Sequence, residues 1–130
     1  MIKNPILIIL LFLLSGIARA ESYSEWETEE KIQFTTFTAL SIIDYSQTSW
    51  AMKQKDEQGN YLYTERNPFL GNRPSDAKLA AYQLVAIGGM YYTISEYGDK
   101  HRKLRWILIA VKAAAVIHND RVGISIHKVW

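Results

Sequence analysis

No cysteine occurs in the 130 residues. The chain therefore has no disulfide framework, no thiolate metal site and no thiol nucleophile. It also lacks a P-loop, a G-x-G-x-x-G turn, an H-E-x-x-H helix and a G-x-S-x-G elbow. Its three histidines, His101, His118 and His127, are scattered, so neither a metal centre nor a cofactor is expected. There is no internal repeat and no low-complexity tract. Only the last ten residues alternate as a membrane barrel strand would, and one such strand does not make a barrel.

A lasting excess of charge is missing too. Fifteen bases face thirteen acids in the whole chain. Lys3 opens the chain, an apolar run covers Pro5 to Leu14, and Ala18-Arg19-Ala20 follows. A basic start, a short apolar run and a small-x-small site make a secretory signal peptide over 1–20. The run is too short for an ordinary membrane span. Cleavage after Ala20 removes Lys3 and Arg19 and leaves thirteen bases against thirteen acids. A neutral mature chain gives no electrostatic reason to bind nucleic acid. Residues 21–130 have the size of one domain.

Helical patterning dominates that domain. Glu21 to Glu30 holds five glutamates and no base. Ser24 and Glu27 have capping-box spacing, and acids suit a helix start. A first helix is predicted over about 25–52, with Trp26 at interfacial height. Lys53 to Pro74 is a long polar connection rich in turn chemistry, including Gly59-Asn60, Asn67-Pro68 and Gly71-Asn72. The Tyr61, Leu62, Tyr63, Phe69 and Leu70 between those turns suggest a loop packed back on the helices. Ser75-Asp76 starts a second helix over 76–97, which Gly98 stops. Gly88-Gly89 at its centre suggests either close helix approach or a kink. After a basic turn, Asp99 to Lys103, a third helix runs over 104–118. Arg121 to Trp130 alternates as a short extended tail. The expected fold is all-α: about three helices in a small bundle, a long structured loop and that tail.

The first helix carries an acid in an apolar setting. At about 100° per residue, Ile32, Thr36, Ala39, Ile43 and Trp50 form a packing seam. Ser41, Asp44, Gln47 and Thr48 share another face. Asp44 must face water, find a partner or take up a proton. Ser41, Gln47 and Thr48 are near enough in sequence to hydrogen-bond it. Arg105, Lys112 and Asn119 lie seven apart, hence on nearly one face of the third helix. Lys112 is either the counter-ion of Asp44 or a solvated, snorkelling base. Glu65 has three readings: a helix cap, a partner of Arg66 or Arg73, or a neighbour of Asp44. Leu79–Tyr97 is about long enough to span a bilayer. Leu104–His118, at about 22 Å, falls short of a ~30 Å core. A basic turn on the outer side also argues against three spans. Membrane insertion is nonetheless the preferred reading over a periplasmic bundle with an unusually apolar core.

The order of motifs resembles a known group. It runs Trp26-Glu27-Thr28-Glu29-Glu30-Lys31, then Ile43-Asp44-Tyr45-x-Gln47-Thr48. Glu65-x-Asn67-Pro68-x-Leu70-Gly71-x-x-Pro74-Ser75 follows, then His118-Asn119 and Val122-Gly123-Ile124. This is similar to a family of small exported or membrane proteins of proteobacteria and tailed phages without a settled function. The resemblance implies that Asp44, Gln47, Thr48, Glu65, Asn67, Pro68, His118 and Asn119 matter. With Lys112, and without the proline, they form the candidate polar cluster. Two function classes follow. One is a non-enzymatic, exported envelope protein at the inner membrane, phage-borne or not, which contacts lipid and binds another envelope protein. The other is a small membrane hydrolase using Asp44, Glu65 and His118.

Overall fold

A helix begins where its first N–H groups find acceptors. In the computed structural model, which describes residues 21–124, that point is later than Ser24. A 3₁₀ turn, Tyr23–Glu25, comes first, and Glu25 accepts from the Ser22 N–H at 2.6 Å. Trp26 is then extended and buried, so it is a core residue and not the interfacial one expected. Helix α1, Thr28–Ala51, starts only after it. There Glu30 turns back to accept the Glu27 N–H at 2.9 Å.

The described residues are all-α, with no strand and one isolated antiparallel bridge, Lys55–Tyr61. Helix α2 covers Asp76–Tyr97, capped by the Ser75 hydroxyl, which accepts from the Lys78 N–H at 3.2 Å. Gly98, at φ +47°, ends it and leads through a 3₁₀ turn, Gly98–His101, into α3, Arg102–Arg121. Arg121 thus closes a helix where an extended tail was expected. The rest of that tail from 125 onward, and the signal peptide expected over 1–20, lie outside the described residues.

Helix α1 packs against both α2 and α3. Trp26, Phe37, Met90, Ile94 and Ile109 form the apolar core, with Phe34 and Tyr91 against it. The expected seam of α1 is overturned. Ile32 is 51% exposed, and Ala39 is exposed as well. The buried face carries Gln33, Phe37, Ser41, Gln47 and Ala51 instead. The physical reason is α3, whose inward face is itself polar. Arg105 is fully buried there, while Leu104, Ile107, Leu108, Val111 and Ile117 stand exposed.

No helix among the described residues is long and apolar enough to cross a membrane. This corrects the reading of Leu79–Tyr97 as a span. Gln83, two glycines and several hydroxyls dilute that segment. In α3, Arg105 and Lys112 interrupt the apolar run.

Close approach at Gly89 is not borne out, because a Cβ there would meet nothing within 4 Å. Gly89→Ala is therefore expected to stabilise the fold by about 0.5–1 kcal/mol, read from urea denaturation. A loss on substitution would mean that the helix needs the glycine for another reason.

Exposed ion pairs tie the ends together. Asp76 accepts from the Lys53 ammonium at 2.8 Å and the Ser49 hydroxyl at 2.6 Å. These contacts, Lys53 first, hold the Asp76 carboxyl below its ordinary range. A depressed carboxyl stabilises the fold above its unfolded value, about pH 4, and the gain is lost as pH falls through the folded value. Both side chains are about half exposed, so the effect is small, about 0–1 kcal/mol. Asp76→Asn should lower stability by that amount at pH 7, a loss that fades as pH falls through the lowered folded value of the carboxyl.

Candidate functional site

The polar stripe of α1 points inward and meets polar groups from both other helices. Asp44 Oδ2 accepts from Lys112 Nζ at 2.7 Å and from Gln83 Nε2 at 2.9 Å. Lys112 also donates to Gln83 Oε1 at 2.7 Å, closing a three-membered ring of contacts. The Asp44 and Lys112 side chains are only 16% and 12% exposed. Asn119 Nδ2 reaches Asp44 Oδ1 at 3.4 Å and Gln47 Oε1 at 3.2 Å. Gln47 Nε2 in turn donates to the Val116 and Ile124 carbonyls. Each helix thus supplies part of one network, and the two charges in it neutralise one another. Desolvating such a pair is costly, and the amides around it satisfy groups that water would otherwise satisfy.

The counter-ion reading of Lys112 holds, and the snorkelling one does not. The expected bonds from Ser41, Gln47 and Thr48 to Asp44 do not form; Gln47 reaches it only through Asn119. Ser41 Oγ is buried without a partner. Short side chains on the same helix face reach less well than long ones crossing from α2 and α3.

A second polar tier lies nearer the start of α3. Arg105 Nε donates to Gln33 Oε1 at 2.7 Å, and Nη1 donates to the Gly98 carbonyl at 2.6 Å. At the same end, Glu29 accepts from Trp106 Nε1 at 2.8 Å and from Arg102 at 2.9 Å. These two contacts, the indole first, hold its carboxyl below the ordinary range.

Above the central network opens a cavity of about 610 Å³. Asp44, Thr48, Glu65, Asn67, Lys112, His118 and Asn119 all line it. Gln47 does not, but it braces Asn119 from beside the cavity. The connection between α1 and α2 forms one wall. There Glu65 Oε1 accepts the backbone N–H groups of Arg66 at 2.9 Å and Asn67 at 2.7 Å. Glu65 therefore pairs with neither Arg66 nor Arg73 through its side chain, nor does it cap a helix. It organises the turn before Pro68 and faces the same cavity as Asp44. Asn67 Oδ1 extends this turn by accepting from the Phe69 N–H at 3.0 Å.

Gln83 was not anticipated. Its signal was available: it is a lone amide in an apolar run, on the same α2 face as Leu79, Met90 and Ile94. Arg105 was placed in register with Lys112, but nothing in that spacing says the face is buried.

The chemistry open to this arrangement is limited by prior commitments. Asp44 already accepts from Lys112, Gln83 and Asn119. No hydrogen bond joins the His118 imidazole to either carboxylate among the described residues. A nucleophile, a base and a group that orients the base are thus not linked. Nor do three metal-ligating side chains gather among the described residues. Comparison with family models, curated proteins and solved structures gives no match.

Proposed function

We propose that the chain is an exported, non-enzymatic envelope protein. It sits against the inner membrane through the outer face of α3 and acts by binding another envelope protein. One observation carries this reading: α3 is inverted, with Arg105, Lys112 and Asn119 inward and most of its large apolar side chains outward, among the exposed Lys103, His118 and Arg121. The outward apolar side chains include Leu104, Ile107, Leu108, Val111 and Ile117. These five span about half of the helix at 100° per residue, a wide face for one partner helix, whereas lipid covers any width. Ile32 and Ile42 of α1 and Leu84 of α2 add exposed aliphatic groups. The signal-peptide pattern and the resemblance to small exported proteins of proteobacteria and phages support the compartment.

The test is fractionation of cells making the full chain. The protein should pellet with inner membranes, begin at Glu21 on N-terminal sequencing, and be released by an Ile107→Glu/Val111→Glu double substitution. Recovery of the original chain in the soluble fraction would overturn the reading.

A second reading, a small hydrolase, is favoured by the convergence of Asp44, Glu65 and His118 on one cavity. It requires ester or amide turnover that is lost in His118→Gln and in Glu65→Gln while the fold persists.

A further inference from the structure

We infer that the cavity takes the headgroup of a zwitterionic membrane lipid carrying a primary ammonium and a phosphate. This rests on the envelope reading and goes beyond it by naming a ligand.

The charge lining the cavity is balanced, with Asp44 and Glu65 against Arg66 and Lys112. Asp44 and Lys112 are spent on each other. What remains is asymmetric. Glu65 uses Oε1 on the backbone and leaves Oε2 as an acceptor. The Arg66 guanidinium and the His118 imidazole have no hydrogen-bond partner among the described residues. One free carboxylate oxygen suits an ammonium, and a guanidinium and an imidazole lining the same cavity suit a phosphate. A primary ammonium can donate to Glu65, whereas a trimethylammonium has no N–H to give.

The cavity's position supports a ligand drawn from lipid. Val111 lines it and is also 63% exposed on the outer face of α3. Val122, 47% exposed, lines it as well. The polar interior therefore opens beside the surface assigned to lipid. A headgroup can enter while its acyl chains stay along Val111 and Val122. A volume of about 610 Å³ lies within the usual range for small-ligand sites.

The experiment uses the full chain in nonionic detergent. It is titrated with short-chain phosphatidylethanolamine, phosphatidylcholine and phosphatidylglycerol, and with chain-free phosphoethanolamine. The readouts are calorimetry and the His118 ring resonances. Phosphatidylethanolamine should bind at least about tenfold tighter than the other three and shift His118. Glu65→Gln should remove about that preference, whereas Arg66→Gln should weaken binding of all three lipids alike, neither moving the melting curve. Equal affinity for all headgroups, preference unchanged in Glu65→Gln, or lipid affinity unchanged in Arg66→Gln would overturn the inference. So would chain-free phosphoethanolamine binding as tightly as the lipid. Flotation on phosphatidylcholine vesicles separates the two levels. Flotation without headgroup preference sinks the inference alone, whereas failure to float sinks the envelope reading beneath it.

Discussion

Asp44→Ala is expected to cost roughly 3–5 kcal/mol of stability, because it strands the Lys112 ammonium, whose side chain is only 12% exposed, without its counter-ion. Gln83 and Asn119 each lose a partner at the same time. Lys112→Met should cost a comparable amount by stranding the carboxylate. Asp44→Asn should be milder, since an amide oxygen still accepts from Gln83. The decisive comparison is the double variant Asp44→Leu/Lys112→Met. It removes both charges and should cost less than Asp44→Ala alone. Denaturant melts of the four proteins measure this. A loss below about 1 kcal/mol for Asp44→Ala would be the behaviour of an exposed pair and would contradict the buried network.

Trp26→Ala should be nearly as damaging, at roughly 3–5 kcal/mol, the range for truncating a buried large aromatic. Its ring lies 4.8 Å from Tyr91, 5.2 Å from Tyr23 and 5.4 Å from Phe34, centre to centre. Its Nε1 donates to the Glu21 carbonyl at 3.4 Å. The residue thus pins the segment before α1 onto the core between α1 and α2. Trp26→Phe should recover part of the loss by keeping an aromatic ring in the site. If Trp26→Ala melts like the original chain, the segment before α1 is detached in solution.

Local chemistry made the helices legible, while polarity misled about their faces. Ser75 and Gly98 bound α2 because an N-cap hydroxyl and a left-handed glycine act within a few residues. The Asp44–Lys112 pair was one of two readings of Lys112, since a charge in an apolar helix has few partners to choose from, and the structure selects it. The seam of α1 was misjudged because periodicity assigns apolar residues to the inside. Here Gln33 and Gln47 are inside, for their partners Arg105 and Asn119 arrive from α3, and Ser41 is buried with them without a partner. A helix read alone carries no sign of that partner. Trp26 was misplaced for a related reason: it lies in an extended stretch where no helical period applies. Gln83 escaped notice because a neutral amide raises no question of charge balance. Glu65 was left open among three roles; the structure keeps one, facing the same cavity as Asp44, and adds bonds to the N–H groups of its own turn.

The inverted polarity of α3 is the central claim, and the absence of cysteine makes it directly measurable. Single cysteines can be placed without first removing any native thiol. Spin labels at Ile107→Cys and Val111→Cys report the outer face, Ser41→Cys the interior and Gln58→Cys the connection. With the full chain reconstituted in liposomes, collision with oxygen reports lipid and collision with a water-soluble nickel chelate reports solvent. The account predicts high oxygen and low nickel accessibility at 107 and 111, the reverse at 58, and low values for both at 41. Nickel accessibility at 107 and 111 equal to that at 58 would place α3's outer face in water and contradict it. Protection from both reagents there would put protein, not lipid, over that face and contradict it as well.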